Sequence, residues 1–306
     1  MKRWLLIALG LILIGAGGLA FYQLNYGNKG SKDLAFHEQK WVFDKDELHA
    51  LNVYNDYKRI DVKFVPSKDG KDTILFEGKV EKEIADRLRE TRLSNGALTL
   101  NLNEKSRWFV FDFNFVKFNE SQTVTVALAD GALLDSLVVK SDSGSVHLND
   151  ASAREGTVKS DSGSVHLANI SGTNWSVGGD SGSIQLAGYT GESLTVKSES
   201  GSIQGESIKA KLQTSADSGS TKLSGVTGAV VVRSQSGSVR VQKEDTSDVD
   251  VKTDSGSVRI QLPSSFGGFY DLKSDSGSIK APESKRETKE LIKVRTDSGS
   301  IRIEQP

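Results

Sequence analysis

Serine, histidine and aspartate stand close together in Val-Lys-Ser-Asp-Ser-Gly-Ser-Val-His-Leu, which fills residues 139–148 and returns letter for letter at 158–167. These three types make an activated nucleophile when a base and an orienting carboxylate converge on a hydroxyl. The rest of the chain argues against that chemistry. Histidine follows the motif only as His147 and His166, while the matching positions elsewhere hold Gln185, Gln204, Lys222, Arg240, Arg259, Lys280 and Arg302. Alternate residues of a strand also point to opposite faces, so neighbours within one stretch do not converge. No catalytic residue is expected. A carbohydrate-active enzyme on a β-helix is the enzymatic alternative, and it needs clustered carboxylates that break the regular pattern.

Aspartate beside glycine also suits a calcium ladder, as in β-rolls built from glycine-rich nonapeptides. That nonapeptide is missing here. A basic residue stands two before the acidic position in most copies, as Lys140, Lys159, Lys197, Arg233, Lys252, Lys273 and Arg295. Stacked exposed carboxylates repel by only about 1 kcal/mol per pair in water, which such a row offsets. No metal and no cofactor are therefore expected.

The motif reads as a structural device. Its central glycines are Gly144, Gly163, Gly182, Gly201, Gly219, Gly237, Gly256, Gly277 and Gly299, spaced by 19, 19, 19, 18, 18, 19, 21 and 22 residues. A repeat of this length is a unit that buries its apolar face only by stacking on its neighbours. Valines or leucines three residues before the acidic position, and valines or isoleucines after the second serine, alternate with polar residues; Thr214 and Thr221 are the exceptions. Period two means strands. The expected fold is all-β, a parallel β-solenoid in which each motif turns a corner, with right-handed coiling the ordinary outcome for parallel connections. Asp and Ser would bond backbone N–H groups at the corner, and Gly would supply a positive φ.

In register, the residues after the corner put Lys222, Arg240, Arg259, Lys280 and Arg302 in one basic stripe. This is the candidate site, a track for a polyanion such as teichoic acid or anionic lipid headgroups. The whole chain has 39 basic and 40 acidic residues, a net charge of −1, which gives no reason to expect nucleic acid. It has no cysteine, hence neither disulfides nor thiolate sites.

Lys2 and Arg3 precede nineteen uncharged residues, Trp4–Tyr22. At 1.5 Å per residue they nearly span a hydrocarbon core, and the basic flank keeps residues 1–3 in the cytoplasm. Residues 4–22 are expected to be a transmembrane helix, with a signal peptide as the alternative. That makes a single-pass cell-membrane protein whose remainder is extracytoplasmic. Residues 23–45 read as a polar stalk, 46–135 as degenerate β coils and a cap with one short helix near 80–91, and 136–306 as the nine-copy solenoid. Trp108–Phe118, with phenylalanine at alternate positions, reads as a plug for the N-terminal end of the core or as a contact with membrane or partner. The ninth copy is expected to form the final coil, with the polar loop 282–290 bulging from it.

An anchor, a degenerate β region and repeats of the form Val-Lys-Ser-Asp-Ser-Gly-Ser-Val resemble the bacterial putative-adhesin β-strand-repeat family of unknown function, and within it LiaG-like membrane-anchored members. The resemblance covers about residues 45–306. It implies a β-repeat fold and an envelope role, and it brings no catalytic residue. The expected function is thus a non-enzymatic protein that binds or senses an envelope component, in stress response or adhesion. A structural spacer, or an adapter for a membrane signalling partner, is the alternative.

Overall fold

The structure, a computed structural model, describes residues 34–104 and 121–306. Before the repeats come β1 (Ala35–Phe43), β2 (Ala50–Asn55), β3 (Arg59–Pro66), β4 (Asp72–Val80), α1 (Lys82–Glu90), β5 (Ala97–Asn101) and β6 (Ser121–Leu128). The first corner joins β7 (Leu134–Ser141) to β8 (Val146–Asn149), and the next corners join β9 (Ala153–Ser160), β10 (Val165–Gly179), β11 (Ile184–Ser198), β12 (Ile203–Ser218) and β13 (Thr221–Thr227) in succession. Four more turns pair β14 (Val230–Ser236) with β15 (Val239–Lys243), β16 (Val249–Ser255) with β17 (Val258–Gln261), β18 (Phe269–Ser276) with β19 (Ile279–Lys280), and β20 (Leu291–Ser298) with β21 (Ile301–Glu304). We number the turns 1 to 9 by their corner glycines, Gly144 to Gly299.

Equivalent strands of neighbouring turns lie parallel and in register, so like side chains stack: Val139 on Val158, Val158 on Val177, Val146 on Val165 and Val165 on Ile184. These inward residues are fully buried, which is what alternation along a one-faced strand produces. Both apolar exceptions, Thr214 and Thr221, fall in turn 5 and face inward. A second corner, not foreseen in the sequence, runs along the return side: Asp150, Asn169, Gly188, Ser207 and Gly225 all have φ between 55° and 88°. Asn and Asp tolerate this region better than other side chains, and Asn169 Nδ2 donates to Asp150 Oδ1 at 3.0 Å.

At the C-terminal end the turns do not follow chain order. β16 and β17 of turn 7 pair with β20 and β21 of turn 9, and these pair in turn with β18 and β19 of turn 8. The ninth turn is inserted between the seventh and the eighth, so turn 8 is outermost. This corrects the expectation that the ninth copy would be the final coil. The two longest glycine spacings, 21 and 22, are the ones that step over one rung and come back. The loop 282–290 returns across the 263–268 segment, with Glu287 N–H donating to Gly267 O and Ser284 Oγ to Gly268 O, both within 3 Å.

The N-terminal end has the same trick. β2 lies between β5 and β7, and β3 between β6 and β8, so the first rung in the chain is second in the stack. Beyond it β4 runs antiparallel to β6, and β1 antiparallel to β4. The stalk expected at 23–45 therefore ends in a strand of the cap. The amphipathic helix α1 buries Ile84, Ala85 and Leu88 against this end, and Trp41 Nε1 donates to Thr91 O at 3.1 Å. Glu83 in its first turn and Arg87 and Arg89 in its last suit the helix dipole.

Among the described residues no helix is long and apolar enough to cross a membrane. The expected anchor, 4–22, and the aromatic stretch Trp108–Phe118 lie outside the described residues.

Candidate functional site

The corner glycines stack in one column, and what forces glycine there is backbone contact between rungs. A Cβ on Gly163, Gly182 or Gly237 would lie 2.1 to 2.2 Å from the carbonyl oxygen of the glycine one turn before. Positive φ adds a second reason only late in the stack, at Gly219, Gly237, Gly256, Gly277 and Gly299, with values from 112° to 158°. Hydrogen bonding changes along the column as well. In turns 1, 2 and 4 the glycine N–H donates to the serine three residues earlier, Ser141, Ser160 or Ser198, at 2.9–3.0 Å. In turns 6, 7 and 9 it donates to a carbonyl of the next rung, Ser255, Ser298 or Ser276. The acidic residue of the motif, expected to cap the corner, instead turns outward. Asp161 and Asp180 take Lys159 at 2.8 and 3.4 Å, and Asp275 takes Lys273 at 2.9 Å.

Two basic rows climb the stack. The row before the corner runs Lys140, Lys159, Lys197, Arg233, Lys252, Arg295 and Lys273, with Gly178 and Ser215 filling two rungs. Four of its seven cations have a carboxylate partner, and the other three, Lys140, Lys197 and Lys252, stand on rungs well apart from one another. Besides the lysine pairs above, Arg233 grips Asp250 through two N–H···O bonds of 3.1 and 3.0 Å, and Arg295 pairs with Asp271. The hydrogen bond to Asp161 holds the Lys159 ammonium above its ordinary pKa, and that from Arg295 holds the Asp271 carboxyl below its own.

The row after the corner is one ladder of ten side chains on successive rungs: Asp61, His147, His166, Gln185, Gln204, Lys222, Arg240, Arg259, Arg302 and Lys280. The five residues of the sequence-derived stripe thus meet on one face, with Arg302 ahead of Lys280 because of the inserted turn. The other end of the ladder is neutral or acidic. His147 and His166 stack with ring centroids 4.5 Å apart, and His166 Nδ1 lies 3.1 Å from Gln185 Oε1. Burial lowers the His147 pKa, with Arg59 and His166 adding to the effect and Asp61 opposing it.

The basic end has little internal counter-charge. Glu304 Oε1 bridges Arg259 at 2.9 Å and Arg302 at 2.5 Å. Among the described residues Lys222, Arg240 and Lys280 form no ion pair. A depression of about 110 Å³ opens beside Lys222 and Arg240, lined by these two with Ser224, Gln242, Arg259, Gln261 and Glu304. Sequence reasoning missed Ser224, Gln242, Gln261 and Glu304. Each stands two residues beyond a ladder member, so period two could have found them. The Glu304–Arg259 bridge was out of reach because it depends on which rung lies next to which.

Near this face Lys243 is fully buried, with Nζ 2.6 Å from Asp245 Oδ1 and donating to Gly228 O and Ser247 Oγ. Burial lowers the Lys243 pKa. Burial also opposes charge on Asp245, but hydrogen bonds from Lys243, Gly228 N–H and Ser247 keep its carboxyl below the ordinary value. Among the described residues no group of three metal-ligating side chains comes together.

Several solved structures are similar to this chain. A putative adhesin from Bacteroides fragilis aligns with 88% of this chain and 97% of its own at 14% identity and a TM-score of 0.45. A putative lipid binding protein from Parabacteroides distasonis aligns with 88% and 96% at 12% identity and 0.43. A putative cell adhesion protein from Clostridium sporogenes aligns with 89% and 100% at 12% identity and 0.21. No curated protein matches the chain. A family model covers the whole stack, from β2 to the end of the inserted ninth turn: residues 51–304 match Toastrack DUF4097, and the chain belongs to that family.

Proposed function

We propose that this Toastrack protein is a non-catalytic, membrane-anchored extracytoplasmic protein that binds an anionic component of the cell envelope through its basic ladder. The observation that carries the reading is the contrast between the rows: five cations stack in register, and only two of them are neutralised from within. Parallel pairing spaces them about 4.8 Å apart, so successive charges of an extended polyanion meet successive cations. Such attraction is strongest at low salt and is screened as the Debye length shortens. The uncharged stretch 4–22 behind Lys2 and Arg3 supports the anchored, outward-facing placement.

Retention of the purified full chain on isolated cell-wall polymer tests this at 0.05 and 0.5 M salt. Retention should drop at least tenfold at the higher salt, and K222Q/R240Q/R259Q/K280Q/R302Q should abolish it at both. Equal retention of this variant would sink the reading.

A second reading, an adapter docked on a membrane partner, is favoured by the outermost rung. There Ile279 is 44% and Phe269 39% exposed, although the residues stacked on Ile279 in the turns beneath, Ile301 and Val258, are 1% exposed. It predicts that Ile279→Asp, and not the ladder variant, disrupts function in the cell.

A further inference from the structure

Glu304 shows how this surface holds an oxyanion. Its carboxylate sits between the guanidiniums of two adjacent rungs, Arg259 below and Arg302 above. Further down the same ladder, from Arg259 to Lys222, the column that supplies Glu304 offers neutral groups, Gln261, Gln242 and Ser224, before Glu206 follows on the rung beneath Ser224. The depression therefore has three cations of an oxyanion site against one internal anion, Glu304 at its upper edge, and amides and a hydroxyl surround the gap beside Arg240 and Lys222. A planar guanidinium can give two parallel N–H bonds to phosphate or carboxylate, while lysine acts as a point charge.

Charge and size separate the candidates. Lys222, Arg240 and Arg259 against Glu304 leave the lining with a net charge of +2. A phosphomonoester carries about −1.5 to −2 at neutral pH, whereas a carboxylate, a sulfate ester or one phosphodiester carries a single charge. About 110 Å³ holds one such group and the start of its substituent, not a polymer segment. The amides of Gln242 and Gln261 and the hydroxyl of Ser224 offer donors and acceptors to hydroxyl groups on that substituent.

We infer that the depression bounded by Lys222, Arg240 and Arg259 is a discrete subsite for a terminal phosphate on a hydroxylated skeleton, such as a sugar phosphate or a phosphomonoester headgroup. The inference rests on the polyanion reading and adds that one position on the ladder selects doubly charged ends over singly charged links. Arg240 is the central contact. Gln242 and Gln261 distinguish an esterified phosphate from inorganic phosphate.

Calorimetry with the full chain in neutral-lipid nanodiscs tests it. Glucose 6-phosphate should bind with one site per chain, at least tenfold more tightly than glucose 6-sulfate and several-fold more tightly than inorganic phosphate. R240Q should lose at least tenfold, Q242A/Q261A should erase the preference over inorganic phosphate, and K252Q in the other row should change nothing. A parallel arm offers vesicles of phosphatidylcholine with and without phosphatidic acid. Binding in either arm that R240Q removes and K252Q keeps supports the subsite, and the stronger arm names the source of the phosphate. Equal affinity for the sulfate ester, or retention on anionic polymer with no binding in either arm, overturns the subsite and leaves the polyanion reading standing. Failure of polymer, sugar phosphate and vesicles together overturns both.

Discussion

The two basic rows are built from the same residue types and share the rungs of turns 6 to 9, yet they differ in what faces them. Before the corner, Asp161, Asp180, Asp250, Asp271 and Asp275 supply a carboxylate within reach of four of the seven cations. After the corner, Glu304 alone serves Arg259 and Arg302, and Lys222, Arg240 and Lys280 stand without one among the described residues. Charge content does not make a surface available. Register does, because in a stack with one residue per rung the neighbouring column decides whether a cation is spent internally or left for a ligand.

Four measurements break or sharpen this contrast. The largest effect removes the register itself: Gly237→Val would drive a side chain into the Gly219 carbonyl at a φ that valine avoids, and should cost about 4 kcal/mol or more by denaturant unfolding. Asp245→Asn leaves the buried Lys243 unpaired and should cost about 3 kcal/mol. Because the Asp245 carboxyl is held below its ordinary value, its contribution is complete above that value and is lost as the pH falls through the folded pKa. Wild type should therefore lose more stability than Asp245→Asn between pH 5 and the acid limit. Ile301→Ala should cost about 2 to 3 kcal/mol and Ile279→Ala less than 1, since the inserted turn makes Ile301 internal and Ile279 outermost. The reverse order of costs, Ile279→Ala large and Ile301→Ala small, would mean that the turns stack in chain order. The smallest effect is on binding: Arg240→Gln should weaken retention on an anionic polymer about tenfold, about 1.4 kcal/mol, and Lys252→Gln less than twofold. Similar losses from both would erase the distinction between the rows.

Much of the fold was legible because alternation and a fixed period are local properties. Valine at 139, 158 and 177 and at 146 and 165 has one reading, two inward columns joined by a corner, and the structure contains them. The order of turns 8 and 9 was not legible for the converse reason. Leu-Lys-Ser-Asp-Ser-Gly-Ser-Ile-Lys and Val-Arg-Thr-Asp-Ser-Gly-Ser-Ile-Arg are interchangeable neighbours for turn 7, so only the spacings of 21 and 22 hinted at a detour. Corner chemistry was half legible. Glycine was found, but its main cause is the carbonyl of the neighbouring rung, a contact between residues eighteen or more apart. The ladder of Lys222, Arg240, Arg259, Arg302 and Lys280 could be read as a column, whereas the pairing of Lys243 with Asp245 could not, since charges in a loop read as solvated until burial is seen.

The inserted turn also has a consequence for how the protein is made. Turns 1 to 7 each find their neighbour already present as the growing chain emerges beyond the membrane, so the stack can lengthen in step with translation. Turn 8 emerges with no place to dock, because the rung it must lie on has not been synthesised. At about 5 to 20 residues per second, the 22 residues to the next corner keep it waiting about 1 to 4 s. During that interval turn 7 offers a bare edge of β16 and β17 to any passing strand. Growth of the stack is sequential up to turn 7, and its last two layers are added together.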